Sequence, residues 1–206
     1  MKKLKLTAKH SRRDGVLLSD KPSHARALAR RPYAPGAHGP TGRTRQTDYG
    51  KQLREKQKAK RIYGLNERQF RNLFEEVTRR TGNTGEMLIK ELERRLDNVV
   101  YRAGFVPTRA AARQAVSHAQ FEINGKKVNI PSYRVRSGEV IRLREIKRAK
   151  GNWKTLEETL QKKVSSLSWL AVDPKDASVK VTGQPEGPEL LQQPFDASQI
   201  VEFYSR

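Results

Sequence analysis

Arg109 and Arg113 stand four residues apart in "TRAAARQAVSHAQFEINGKKV", Thr108 to Val128. On a helix that spacing puts them on one face, and each guanidinium can fork onto two oxygens of one anion. Thr108, just before them, is an N-cap residue type. It would place the free N–H groups and positive dipole end of a helix beside the pair. Further on, Asn124-Gly125 sits between alternating flanks and reads as a type I′ turn, in which both central residues need φ > 0. Lys126 and Lys127 follow directly. A helix start, a forked cation pair and a basic turn together point to a phosphate backbone as ligand, provided the hairpin folds back on the helix. Whether all four cations make contact, or only the helical pair, stays open.

No other chemistry is as well supported. His10, His24, His38 and His118 are far apart, and none lies in an H-E-x-x-H pattern. "PGAHGPTG" lacks the lysine and the preceding apolar strand of a phosphate-cradling loop, and there is no G-x-S-x-G. The chain has no cysteine, so disulfides, thiolate metal sites and cysteine nucleophiles are excluded together. The expectation is no catalytic residue, no metal, no cofactor and no small-molecule substrate.

The elements that must position the cations follow from periodicity. The helix from Thr108 has small residues, Ala111, Ala112, Ala115 and Val116, on its other side, so it can approach a neighbour closely. "GEVIRLRE" reads as a strand with Ile141 and Leu143 inward and Arg142 and Arg144 outward. Upstream, Asp48 opens a helix whose outward cations Lys51, Arg54, Lys58 and Arg61 form a stripe. Asn66 and Gln69 have capping-box spacing, and Phe70, Leu73, Phe74 and Val77 then form a core stripe. A third helix carries Leu88, Leu92, Leu96, Val99 and Ala103 on one side and closes at Gly104 and Pro107. A last helix from Asn152 aligns Trp153, Leu156, Leu160, Val164 and Leu167, and the tail reads as a loop followed by a short apolar strand. Residues 1–47 read as a basic extended arm. "RRPYAPGAHGPTGRTRQTDYG" is dense in Pro and Gly and punctuated by Arg30, Arg31, Arg43 and Arg45.

The totals agree with an anionic partner. The 206 residues carry a formal net charge of +21, self-repulsion that a polyanion relieves. Residues 1–62 hold 18 Lys+Arg against 4 Asp+Glu, residues 63–149 hold 18 against 10, and residues 150–206 hold 7 against 8. The polyanion therefore belongs along the first two segments, and the last segment packs on protein. Nucleic acid is the leading candidate and an acidic membrane surface the second. No apolar run of about 20 residues is present to span a membrane, and the basic N-terminus lacks the apolar stretch of a secretory signal. A rigid basic face with basic arms, without a groove-reading helix or dimeric layout, favours folded RNA over DNA.

"LERRLDNVVYRAGFVPTRAAARQAVSHAQFEINGKKVNIPSYRVRSGEVIRL", Leu92 to Leu143, resembles the RNA-binding module of the small-subunit ribosomal protein S-four family. "DYGKQLREKQKAKRIYGLNERQFRNLFEE", "TGNTGEMLIKELERRLDNVVYR" and the terminal "IVEFYSR" extend the resemblance to the bacterial type, from about Arg31 to Arg206. The resemblance implies direct binding of small-subunit ribosomal RNA, nucleation of assembly of the subunit body, and a place near the channel through which messenger RNA enters. It also implies contact with ribosomal protein S-five, an influence on decoding accuracy, and a cytoplasmic location in the small subunit. Within the module the matching positions are Arg95, Arg109, Arg113, Gln114, His118, Asn124, Lys126 and Lys127; Arg43 and Arg45 would face the messenger side. Many members bind zinc through cysteines in the arm. This chain has none, so its arm must be ordered by RNA. Ala119 and Ala37 also depart from the family pattern, without removing a cation.

The expected fold class is α+β: a helical domain with an inserted RNA-binding module of two helices and a small, mainly antiparallel sheet, plus a basic extended N-terminal arm. The expected boundaries are 1–47 for the arm, 48–91 with 150–206 for the helical domain, and 92–149 for the module. The alternatives, an RNA chaperone or an RNA-modifying factor using the same module, are disfavoured on two counts. Residues 150–206 carry no catalytic motif, and a chaperone would need neither the helical domain nor the tail.

Overall fold

Thr47 and Asn66 each start a helix as their side chains dictate. Thr47 Oγ1 accepts the Gly50 N–H at 3.2 Å, opening α3 (Asp48–Ile62). Asn66 Oδ1 accepts the Gln69 N–H at 2.7 Å while Gln69 Oε1 accepts the Asn66 N–H at 3.3 Å, a reciprocal cap opening α4 (Glu67–Thr78). Phe70, Phe74 and Val77 bury the predicted stripe. The structure, a computed structural model, describes residues 6–41, 46–148, 151–154, 156–162, 167–187 and 193–206. It divides into two compact units, Met1–Ile89 with Gln192–Arg206, and Lys90–Leu191.

In the first unit, two helices stand where an extended arm was expected: α1 (Ala8–Asp14) and α2 (Pro22–Arg30). The Pro and Gly that suggested an arm are concentrated after Arg31, and Pro22 sits at the first position of α2, where its missing N–H costs nothing. The Thr7 N–H donates to His10 Nδ1 at 3.1 Å, Gly15 closes α1 at φ +68°, and buried Leu18 donates its N–H to Ser11 Oγ at 3.3 Å. His24 is buried, and that burial, followed by the charge of Lys21, lowers its pKa. The expected terminal strand is also a helix, α10 (Ala197–Tyr204). Asp196 Oδ1 accepts the Ser198 N–H at 2.8 Å, and Ile200, Phe203 and Tyr204 fall at helical spacing. Phe74 and Tyr204 stack at 4.5 Å between centroids, and Lys56 Nζ lies 4.3 Å from the centre of the Phe203 ring. Lys56 and Lys60 both bind Glu67, at 2.7 and 2.8 Å. Burial alone would raise the Glu67 pKa, but the two ammonium groups outweigh it and bring it down to about 2. Burial, then the Glu67 charge, raises the Tyr204 pKa.

The predicted third helix is two helices. α5 (Thr84–Glu93) crosses the division between the units, and α6 (Leu96–Arg102) restarts after Arg95, whose ψ of 136° leaves the helical region. The apolar periodicity carries across the break, so local sequence does not mark it. Hydrogen bonds from a distant segment make it: Leu96 N–H to the Tyr133 carbonyl at 2.8 Å, Asp97 N–H to that of Pro131 at 3.2 Å, and Val135 N–H to that of Arg94 at 2.9 Å. The fourth helix, α7 (Arg109–Ser117), begins at Thr108 as expected.

The sheet has five antiparallel strands in the order β2-β1-β3-β5-β4. They are β1 (Phe121–Ile123), β2 (Lys126–Val128), β3 (Val140–Leu143), β4 (Leu170–Asp173) and β5 (Ser178–Val181). The last two were not expected, and they correct the boundary at 150. β5 pairs with β3, Ile141 opposite Val179, so residues up to Leu191 belong with the module and only the end of the chain completes the first unit. Short α8 (Glu145–Arg148), a 3₁₀ turn (Gly151–Trp153) and α9 (Leu156–Lys162) lie between β3 and β4; Val164 lies outside the described residues. One sheet face buries Phe121, Ile123, Ile141, Leu143, Val179 and Val181 against Leu96, Val99, Ala112 and Val116. Each large apolar side chain so buried stabilises by about 1.5–3 kcal/mol. The other face carries Glu122, Lys127, Arg142 and Lys180.

Candidate nucleic-acid interface

Thr108 Oγ1 accepts the Ala111 N–H at 3.2 Å, so α7 has the capped start its sequence predicts. Ala112, Ala115 and Val116 face the core, and Arg109 and Arg113 emerge half-buried beside α6. Their orientation comes from α6. Arg109 Nε donates to Asn98 Oδ1 at 2.8 Å, and its guanidinium carbon lies 4.4 Å from the centre of the Tyr101 ring, an arrangement in which the ring face attracts the cation. Asn98 is itself fixed, its Nδ2 donating to the Glu93 carbonyl at 3.0 Å and to Glu93 Oε2 at 2.8 Å. Glu93 takes Arg102 in a two-point pair at 3.0 Å each.

Arg95 and Arg113 share one carboxylate. Arg95 Nε and Nη2 donate to Asp97 Oδ1 and Oδ2 at 3.1 and 2.9 Å, and Arg113 Nη1 lies 3.7 Å from Asp97 Oδ2. Asp97 is 4% exposed and Arg95 8%. Two guanidinia thus meet on one buried carboxylate. Asp97, Asn98 and Tyr101 were missed at the level of sequence, where they read as the polar side of a leucine-striped helix. The one local signal was an acidic residue in the first turn of α6.

The Asn124-Gly125 turn forms as expected, with φ of +48° and +78°. The Asn124 side chain does local structural work: its Oδ1 accepts the Val140 N–H at 2.9 Å, tying the hairpin to β3. The register divides the two lysines. Residues paired directly across an antiparallel ladder point to the same face. Lys126, opposite buried Ile123, therefore lies on the helix-covered side of the sheet, and Lys127, opposite Glu122, lies on the open side. Both are exposed. The hairpin thus supplies one lysine, not two, to the side of the sheet that carries α7. Gln114 and His118 are exposed.

The cations expected on α3 are mostly taken by carboxylates. Lys51 pairs with Asp48 at 3.0 Å, Lys58 with Glu55 at 2.6 Å and Arg61 with Asp14 at 2.7 Å. The Lys58 and Arg61 side chains are only 14% and 16% exposed, so the outward stripe holds for Lys51 and half-buried Arg54 and not for the other two. Arg30 and Arg31 are exposed; Arg43 and Arg45 lie outside the described residues. Among the described residues, no group of three or more His, Asp and Glu is arranged to hold a metal, and no helix is long and apolar enough to cross a membrane.

Comparison with known proteins bears on the same segments. A family model described as the ribosomal protein S4/S9 N-terminal domain matches residues 3–93, and one described as the S4 domain matches residues 94–141. The chain is 50% identical over 200 residues to the small ribosomal subunit protein uS4 of Roseiflexus castenholzii, with 96% of each chain covered. It is 46% identical over 200 residues to that of Chlorobaculum tepidum and 48% to that of Chloroflexus aurantiacus, at the same coverage.

Proposed function

This chain belongs to the family of the small ribosomal subunit protein uS4, and from that premise we propose that it is a structural constituent of the small ribosomal subunit that binds small-subunit ribosomal RNA directly. The observation that carries the reading is the cluster of Arg95, Arg109 and Arg113, held on a rigid helix pair in a chain that matches uS4 proteins over 200 residues. RNA helices are recognised largely through backbone and shape, and forked arginines in fixed positions suit phosphate oxygens. In finer detail, the protein nucleates assembly of the subunit body, contacts ribosomal protein S-five, and contributes to decoding accuracy beside the channel through which messenger RNA enters. It acts in the cytoplasm as a non-catalytic component. Arg43 and Arg45 face the messenger side, with Arg30, Arg31 and Arg54 as further RNA contacts.

The test is sedimentation of a cell lysate through a gradient. The native chain should travel with the small subunit and survive a moderate-salt wash. Recovery solely as free protein at the top of the gradient would overturn the reading.

A further inference from the structure

A surface built for a polyanion gains nothing from a carboxylate's own charge, yet the cationic cluster of the second unit is assembled on one. Asp97 is almost fully buried and receives two parallel bonds from Arg95, with Arg113 reaching its second oxygen at 3.7 Å. The neighbouring Asn98, 1% exposed, presents its Oδ1 to Arg109 Nε because both Nδ2 bonds go to Glu93. A guanidinium is planar, with five N–H donors in a fixed fork, so anchoring one edge sets the direction of the rest. The long arginine side chains are thereby ordered before a ligand arrives, and binding no longer has to order them.

We infer that Asp97 is a positioning residue of the RNA site, one that tightens RNA binding although its own charge repels RNA, because it aims Arg95 and Arg113. Asn98 aims Arg109 in the same way. The inference rests on the proposed RNA-binding function and reverses the sign that simple electrostatics assigns to one residue. Removing a negative charge from a phosphate-facing surface should strengthen binding; removing this one weakens it.

The test uses the full-length chain and protein-free small-subunit ribosomal RNA, with affinity measured across a salt series. Asp97→Asn keeps the side-chain shape and adds one unit of net charge. Asp176→Asn, at an exposed carboxylate 3.2 Å from Arg142, adds the same unit elsewhere and serves as the control. Asp97→Asn should bind about tenfold more weakly, with a log–log salt slope shallower by about 0.7–0.9, the value of one lost phosphate contact. Asp176→Asn should bind no more weakly than the parent. Combined with Arg113→Ala, Asp97→Asn should cost less than it does alone, since the part of its effect that acts through Arg113 is already gone. Affinity equal to or above the parent's at an unchanged slope, or fully additive losses, would overturn the inference. Failure of the parent chain to bind the RNA would instead overturn the proposed function, before any variant is made. If circular dichroism shows Asp97→Asn unfolded, ¹⁵N relaxation of the arginine Nε–H groups in the free parent decides. Order parameters for Arg95 and Arg113 near the rigid-backbone value of about 0.85 support positioning, and values below about 0.6 sink it.

Discussion

Helix α3 and the α6–α7 pair both carry cations at about one-turn spacing and hold them in different ways. Among the cations predicted as a stripe on α3, three have a carboxylate each: Lys51 with Asp48, Lys58 with Glu55, Arg61 with Asp14. On α6–α7, Asp97 serves both Arg95 and Arg113, and an uncharged amide, Asn98, serves Arg109. The first arrangement gives each of these cations a carboxylate of its own; the second sets Arg95 and Arg113 on one shared carboxylate and Arg109 on an amide. A guanidinium anchored along one edge keeps its other donors in a fixed direction, so the kind of holder, a shared carboxylate or an amide against a dedicated carboxylate, separates a binding face from a scaffold stripe where spacing alone does not. Lys56 and Lys60, which share Glu67, look like an exception on α3. Lys56, however, is 6% exposed and lies against the Phe203 ring, so its charge faces the interior.

The contrast breaks most sharply at Arg61. Its ion-pair partner Asp14 has a side chain only 1% exposed, and leaving a buried carboxylate unpaired costs about 3 kcal/mol or more. Arg61→Ala should therefore lower unfolding free energy by about that amount in urea, with RNA affinity of the folded protein little changed. Intact stability with lost affinity would put Arg61 on the binding side instead. Next comes the pair Arg109→Ala with Arg113→Ala. Two charge-assisted contacts are lost, so affinity should fall about a hundredfold, or about 2.7 kcal/mol, and the salt slope by about 1.5. Thermal stability should shift less than it does for Arg61→Ala, and an unchanged slope would remove both residues from the interface. The smallest effect belongs to Glu67→Gln. The folded-state pKa of Glu67 is depressed to about 2 from 4.5, so its contribution is present above pH 4.5 and fades as pH falls towards 2. Its side chain is 46% exposed, and screening reduces the contribution to about 1 kcal/mol. The variant should be less stable than the parent at neutral pH and converge with it near pH 2 in chemical denaturation. A gap that persists there would assign the effect to packing.

What was legible in the sequence is what depends on neighbours along the chain. Thr108, Asn66 with Gln69, and Asn124-Gly125 each specify a local hydrogen bond or a local φ, and each does what its type demands. The break at Arg95 was hidden because leucine periodicity runs through it, and its cause lies about 35 residues away at Pro131, Tyr133 and Val135. β4 and β5 are four-residue strands whose place depends on pairing with β3. "SQIVEFY" has the β-branched, aromatic look of a strand, and its helix follows from the Asp196 cap and the aromatic contacts of Phe203 and Tyr204. In the candidate site the cations were legible and their holders were not. Asp97 and Asn98 act on residues 11 to 16 positions further on, a relation that exists only once α6 and α7 lie side by side.

The division of the chain also sets an order in time. The first unit is made of residues 1–89 and the segment from Gln192, while Lys90–Leu191 is continuous. A chain synthesised from its N-terminus releases α3 and α4 long before α10, whose Tyr204 stacks on Phe74 and donates to Glu67 at 3.1 Å. The sheet-bearing unit, with its cluster of arginines, is therefore fully made while the older unit still lacks its closing helix. The part that is started first is finished last.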